Sequence, residues 1–131
     1  MTAAEGQKTV LVVEDEPHMR GLLQRVLTEQ DFRVMVAVDG EEAINVYRTH
    51  KREIDAVLLD VGLPKIGGLD VYLSMKAQNP EVQVVVVSGY LAPIIHSKFS
   101  EAGVKYFLHK PYALTDVIGT LQGIGSNRHS L

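Results

Sequence analysis

The feature that most constrains this chain is a set of strand-length apolar runs: Thr9-Val10-Leu11-Val12-Val13, Val34-Met35-Val36-Ala37, Ala56-Val57-Leu58-Leu59 and Val82-Gln83-Val84-Val85-Val86-Val87. A strand with one face in water alternates apolar and polar residues, and these do not, so each is expected to be covered on both faces. Segments with helical spacing lie between them: Met19, Leu22, Leu23, Val26 and Leu27 after Pro17; Ala43, Ile44, Val46 and Tyr47; Leu69, Val71, Tyr72 and Met75, ended by Asn79-Pro80; Ile94, Ile95, Phe99 and Ala102, ended by Gly103. A short fifth strand, Lys105-Tyr106-Phe107-Leu108, and a fifth helix carrying Leu114, Val117, Ile118 and Leu121 complete the series. Five β-α pairs in succession predict an α/β fold, a doubly wound five-stranded parallel sheet with right-handed crossovers and helices on both faces.

A chain of 131 residues is the size of one domain and buries a sizeable core without cross-links. Its net charge of −3 leaves no electrostatic footprint for nucleic acid or for an anionic membrane, so direct nucleic-acid binding by this domain is not expected. The absence of cysteine removes disulfides and thiolate chemistry and suits a reducing compartment. No apolar run approaches the roughly 20 residues that span a bilayer, and the N-terminus has no apolar signal core; a cytoplasmic protein is expected. The folded unit is read as residues 8–122, with 1–7 a flexible leader and 123–131 a flexible tail or the start of a linker.

In an open α/β sheet, ligands bind beyond the carboxyl ends of the strands. The residues there are Glu14-Asp15-Glu16 after the first run, Asp60 after the third, Ser88-Gly89 after the fourth and His109-Lys110-Pro111 after the fifth. If those strands are neighbours, three acids, a hydroxyl and an ammonium converge. Carboxylates forced together call for a cation, and an all-oxygen site with room for water suits Mg²⁺. With a metal present one carboxylate can attack phosphorus to form an aspartyl-phosphate, while Lys110 and Ser88 offer a charge and a hydroxyl to the phosphoryl oxygens. Gly62 leaves its backbone unshielded, so its carbonyl can reach the metal. Singly, each group has an ordinary reading as a loop residue or helix cap; together, at four strand ends, they do not.

Glu14-Asp15, Asp60 with Leu63-Pro64 and Gly68, Ser88-Gly89 and Lys110-Pro111 together resemble the receiver domain of two-component response regulators, over roughly Lys8 to Leu121. The resemblance implies a flavodoxin-like strand order 2-1-3-4-5. It implies that Asp60 is the phosphoacceptor, loaded from a phosphohistidine on a sensor histidine kinase or a histidine phosphotransferase. It gives Glu14, Asp15, Asp60 and the Gly62 carbonyl the Mg²⁺, and Ser88 and Lys110 the phosphoryl group. It makes Ser88 and Phe107 the switch that alters the face of the fourth helix, fifth strand and fifth helix, and Lys110-Pro111 a candidate cis bond. Gly67 departs from the commoner Asp or Asn and Phe107 from the commoner Tyr, while Gly62 and Tyr90 border the path of attacking water.

A switch rather than an enzyme is therefore expected, acting on an output domain or partner protein as a monomer or a phosphorylation-dependent dimer. The chain is expected to be either a stand-alone regulator or part of a longer one. The alternative, an aspartyl-phosphate phosphohydrolase, usually carries a second Asp two positions after the nucleophile, where this chain has Gly62. A flavin site would need a phosphate loop where Glu14-Asp15-Glu16 stand, and a degenerate receiver would lack the acids that are present. The five histidines have no metal-ligand spacing; Ile94, Ile95 and Phe99 fit core packing better than a partner stripe, and Tyr112 is expected on the output face.

Overall fold

The computed structural model describes residues 6–62 and 67–125. Leu63 and Pro64 of the motif after Asp60, residues 1–5 of the leader and 126–131 of the tail lie outside the described residues. The elements alternate as β1 (Thr9–Val13), α1 (Pro17–Glu29), β2 (Arg33–Ala37), α2 (Gly40–His50), β3 (Ala56–Asp60), α3 (Gly68–Gln78), β4 (Val84–Ser88), α4 (Pro93–Glu101), β5 (Tyr106–His109) and α5 (Leu114–Gln122). All five strands form one parallel sheet in the order β2-β1-β3-β4-β5.

Every residue of β1, β3 and β4 is buried, whereas β2 and β5 are half-exposed along most of their length. That gradient is the physical content of the strand order: the three fully apolar runs are interior strands and the two weaker ones are edges. Successive side chains along a strand go to opposite faces. Leu11, Val57, Leu59, Val84 and Val86 pack with Tyr47, Tyr72, Met75 and Phe99 of α2, α3 and α4. Val10, Val12, Leu58, Val85 and Val87 pack with Leu23, Leu27, Val117 and Leu121 of α1 and α5. Phe99 is thus core, as its spacing predicts, while Ile94 on the same helix is 67% exposed.

The strand boundaries shift slightly from those predicted: β4 begins at Val84 rather than Val82, and β5 runs Tyr106–His109 rather than Lys105–Leu108. Val82 already hydrogen-bonds locally, donating its N–H to the Asn79 carbonyl in the turn after α3. α1 is capped by Glu16, whose carboxylate accepts from the Met19 N–H, and α2 by Asp39, which accepts from the Glu42 N–H. α3 starts at Gly67 without a side-chain cap, as the missing Asp or Asn there implies. α4 ends at Gly103, whose φ of +115° lets the Val104 N–H return to the Phe99 carbonyl.

Candidate functional site

The site follows from register. Val13 lies opposite Leu59, so the residues that follow, Glu14 and Asp60, leave the sheet side by side. Asp60 lies opposite Val87 and Ser88 opposite His109, which brings the next residue of each strand to the same edge. The Lys110 N–H donates to the Ser88 carbonyl at 2.7 Å, locking the β5 end onto β4. The Lys110-Pro111 bond is cis.

Asp60 is 6% exposed and both its oxygens are engaged. The Gly62 N–H donates to Oδ1 at 2.9 Å, and the Lys110 ammonium donates to Oδ2 at 2.8 Å. Glu14, 4% exposed, accepts from the Glu16 N–H at 3.1 Å. Burial pushes the Glu14 carboxyl above the usual carboxylate range, and the neighbouring Asp60 charge adds to that, against the pull of the Glu16 N–H and Lys110. Burial works against the Lys110 ammonium, yet its bond to Asp60 and the charges of Asp60 and Glu14 outweigh it and hold Lys110 above the ordinary lysine value. One ammonium thus serves two buried carboxylates.

Glu14, Asp15 and Asp60 each offer an oxygen, and the three lie within 4.8 Å of one another, with Asp15 exposed to solvent. A set of hard oxygens crowded together, one of them on an acid held protonation-prone by burial, fits a divalent cation that keeps several waters. An open cleft of about 640 Å³ reaches Asp60 between Gly62, Ser88, Tyr90 and Lys110. A second groove of about 470 Å³ approaches from the other side, between Glu14, Glu16, Met19, Lys110 and Tyr112.

The structure therefore brings together Glu14, Asp15, Asp60, Gly62, Ser88 and Lys110. Phe107 stands apart, half-buried against the core, its ring stacked on His96 of α4 at 4.0 Å and edge-on to Phe99 at 6.5 Å. Tyr112 is a correction to the expected output-face position. It is half-buried beside Glu14, Asp60 and Lys110, and burial followed by the Glu14 charge raises its phenol. It follows Pro111 in a loop with no periodicity to betray its direction. His18 is exposed, with Nδ1 3.3 Å from Glu16 Oε1.

A family model described as response regulator receiver domain matches residues 10–122. Among similar proteins, a cyclic di-GMP phosphodiesterase of Thermotoga maritima is 37% identical over 106 residues, 81% of this chain and 28% of that protein. A probable transcriptional regulatory protein, TcrX, of Mycobacterium tuberculosis is 32% identical over 125 residues, 95% of this chain and 53% of that protein. The chain spans about half the length of most of the curated relatives it matches, and less of the first. Among solved structures, the CheX-CheY-BeF₃-Mg²⁺ complex from Borrelia burgdorferi superposes with a TM-score of 0.82 at 25% identity, covering 92% of this chain and 96% of that one. The regulator TrrA of Thermotoga maritima in complex with Mg²⁺-BeF gives 0.77 at 26%, covering 88% and 97%.

Proposed function

The chain belongs to the response regulator receiver domain family, and from that premise we propose that Asp60 is its phosphoacceptor and residues 8–122 its signalling unit. The observation that carries the reading is the contact of the buried Asp60 carboxylate with Lys110 at a sheet edge shared with Glu14 and Asp15. Phosphoryl transfer is chiefly positioning and charge neutralisation, and both are built in. An Asp60 oxygen attacks phosphorus of a phosphohistidine, the P–N bond breaks, and the imidazole keeps the electron pair. Lys110, already on Oδ2, is within reach of a phosphoryl oxygen carried by that carboxylate, and Ser88 stands at the neighbouring strand end.

Glu14, Asp15, Asp60 and the Gly62 carbonyl would hold Mg²⁺, which when bound offsets charge on the phosphoryl oxygens. The Gly62 N–H fixes Oδ1 and so sets the carboxylate's rotation. Phosphorylation draws Ser88 toward the phosphoryl group, and Phe107 with its His96 and Phe99 neighbours carries the change to α4, β5 and α5. The donor is a histidine kinase or phosphotransferase, met in the cytoplasm, and the receiver acts on an output domain or partner protein. Among the described residues no helix is long and apolar enough to cross a membrane. The phosphodiesterase activity named for the Thermotoga relative is not carried over, because the chain covers 28% of that protein.

Acetyl phosphate with Mg²⁺, followed by intact-mass measurement, tests the reading. A gain of one phosphoryl group that is lost in Asp60→Asn and in excess EDTA is expected. A gain that survives Asp60→Asn sinks it.

A further inference from the structure

Arg20 sits in the first turn of α1, after Pro17, His18 and Met19. The N-terminus of a helix carries partial positive charge, so a cation there needs a local reason. The side chain supplies one by reaching back out of the helix: Nη1 donates to the Glu14 carbonyl at 3.0 Å and to the Asp15 carbonyl at 3.3 Å. These are consecutive backbone oxygens of the two acids that, with Asp60, form the oxygen cluster.

The remaining backbone of this short connection is held by other means. The Glu14 N–H donates to the Ala37 carbonyl at 3.0 Å, tying it to β2, and the Glu16 N–H donates to the Glu14 carboxylate. Downstream of Glu14, Arg20 is what grips the Glu14 and Asp15 carbonyls, and Asp15 is the exposed acid of the oxygen cluster. Both Arg20 hydrogen bonds end on backbone carbonyls, so Arg20 acts on this connection through the backbone.

We propose that Arg20 is a positioning residue for the metal acids: its guanidinium holds the Glu14 and Asp15 carbonyls so that their carboxylates stand beside Asp60. The inference rests on the reading that these acids bind Mg²⁺. Groups that orient metal ligands typically account for 10–100-fold in metal affinity. Both bonds come from Nη1, and lysine, whose ammonium has three donors but neither the reach nor the planar rigidity of the guanidinium, holds the two carbonyls less firmly.

Calorimetric titration of the unphosphorylated protein with Mg²⁺, with thermal melts in EDTA alongside, gives the test. Arg20→Met, which keeps the apolar stem, is expected to weaken Mg²⁺ binding about 10-fold with Arg20→Lys in between, while the metal-free melting temperature changes little. Arg20→Gln serves as a second neutral variant should Arg20→Met fold poorly. Mg²⁺ affinity within about twofold of the unmodified chain in a folded Arg20→Met or Arg20→Gln overturns the proposal, as does a loss of metal-free stability with affinity intact. Binding by the unmodified chain that Asp15→Asn does not weaken overturns the metal reading itself, independently of Arg20.

Discussion

Glu14 is buried beside a second buried carboxylate, Asp60. Its folded pKa is raised by burial first, so the folded state holds the Glu14 proton more tightly than the unfolded chain does. Stability from this group is therefore present at acid pH and lost as pH rises from the unfolded value of 4.5 through the folded one. In metal-free buffer, Glu14→Gln should melt higher than the unmodified chain at pH 7, and the advantage should vanish below the unfolded pKa. Melting curves across that range check it, and an advantage that grows toward acid would contradict the assignment. Glu14, Asp15, Asp60 and Lys110 were legible because each stands within two residues of the carboxyl end of an apolar run, and the end of the run tells where a strand stops. Arg20 and Tyr112 were not, since one reaches backward from a helix and the other hangs from a loop, and neither direction has a periodic signature.

Among the elements, α4 is held unequally at its two ends. At its C-terminal end the Tyr72 hydroxyl donates to the Ala102 carbonyl at 2.9 Å and the Lys76 ammonium donates to the same oxygen, both from α3. At the other end Ala92 gives no side-chain cap, and Tyr90 and Ile94 are exposed. The clamp needs Gly103. Its φ is +115°, and a Cβ there would lie 2.8 Å from Lys76 Nζ and 3.0 Å from the Tyr72 hydroxyl oxygen. Gly103→Ala should cost roughly 2 kcal/mol from backbone strain and the displaced clamp. Urea titration measures it, and a cost under about 0.5 kcal/mol would mean that the helix end rearranges freely. Gly103 was visible in the sequence as a helix stop; the clamp was not, because Tyr72 and Lys76 read only as one buried and one polar position of a helix. The β4 and β5 starts were displaced by two residues and one for a similar reason: Val82 matches a strand's composition and Lys105 adjoins an apolar run, but turn hydrogen bonds and pairing partners decide where the ladder begins.

For the whole molecule, the sheet is the rigid body that holds the site. Leu59 is fully buried one residue before Asp60, so Leu59→Ala should cost about 2–5 kcal/mol and slow acetyl-phosphate labelling of Asp60. Leu73, 44% exposed on α3, should tolerate the same change within about 0.5 kcal/mol. Paired urea curves and mass time courses test both, and equal costs would mean that the core is not packed as described. The sequence by itself determined that the strands are buried, that they are parallel and crossed over by helices, and that acids, a serine and a lysine stand at their carboxyl ends; these follow from local periodicity and from chain order. It did not by itself determine which strands are neighbours, because apolar runs of similar length pair through the same backbone groups and the composition of each run names no partner. The order β2-β1-β3-β4-β5, which the receiver resemblance implied and the structure bears out, and the registers belong to the packed fold, where the most apolar runs gain most from the interior. That choice set Glu14 beside Asp60 and brought Lys110, 50 residues away along the chain, onto the same carboxylate.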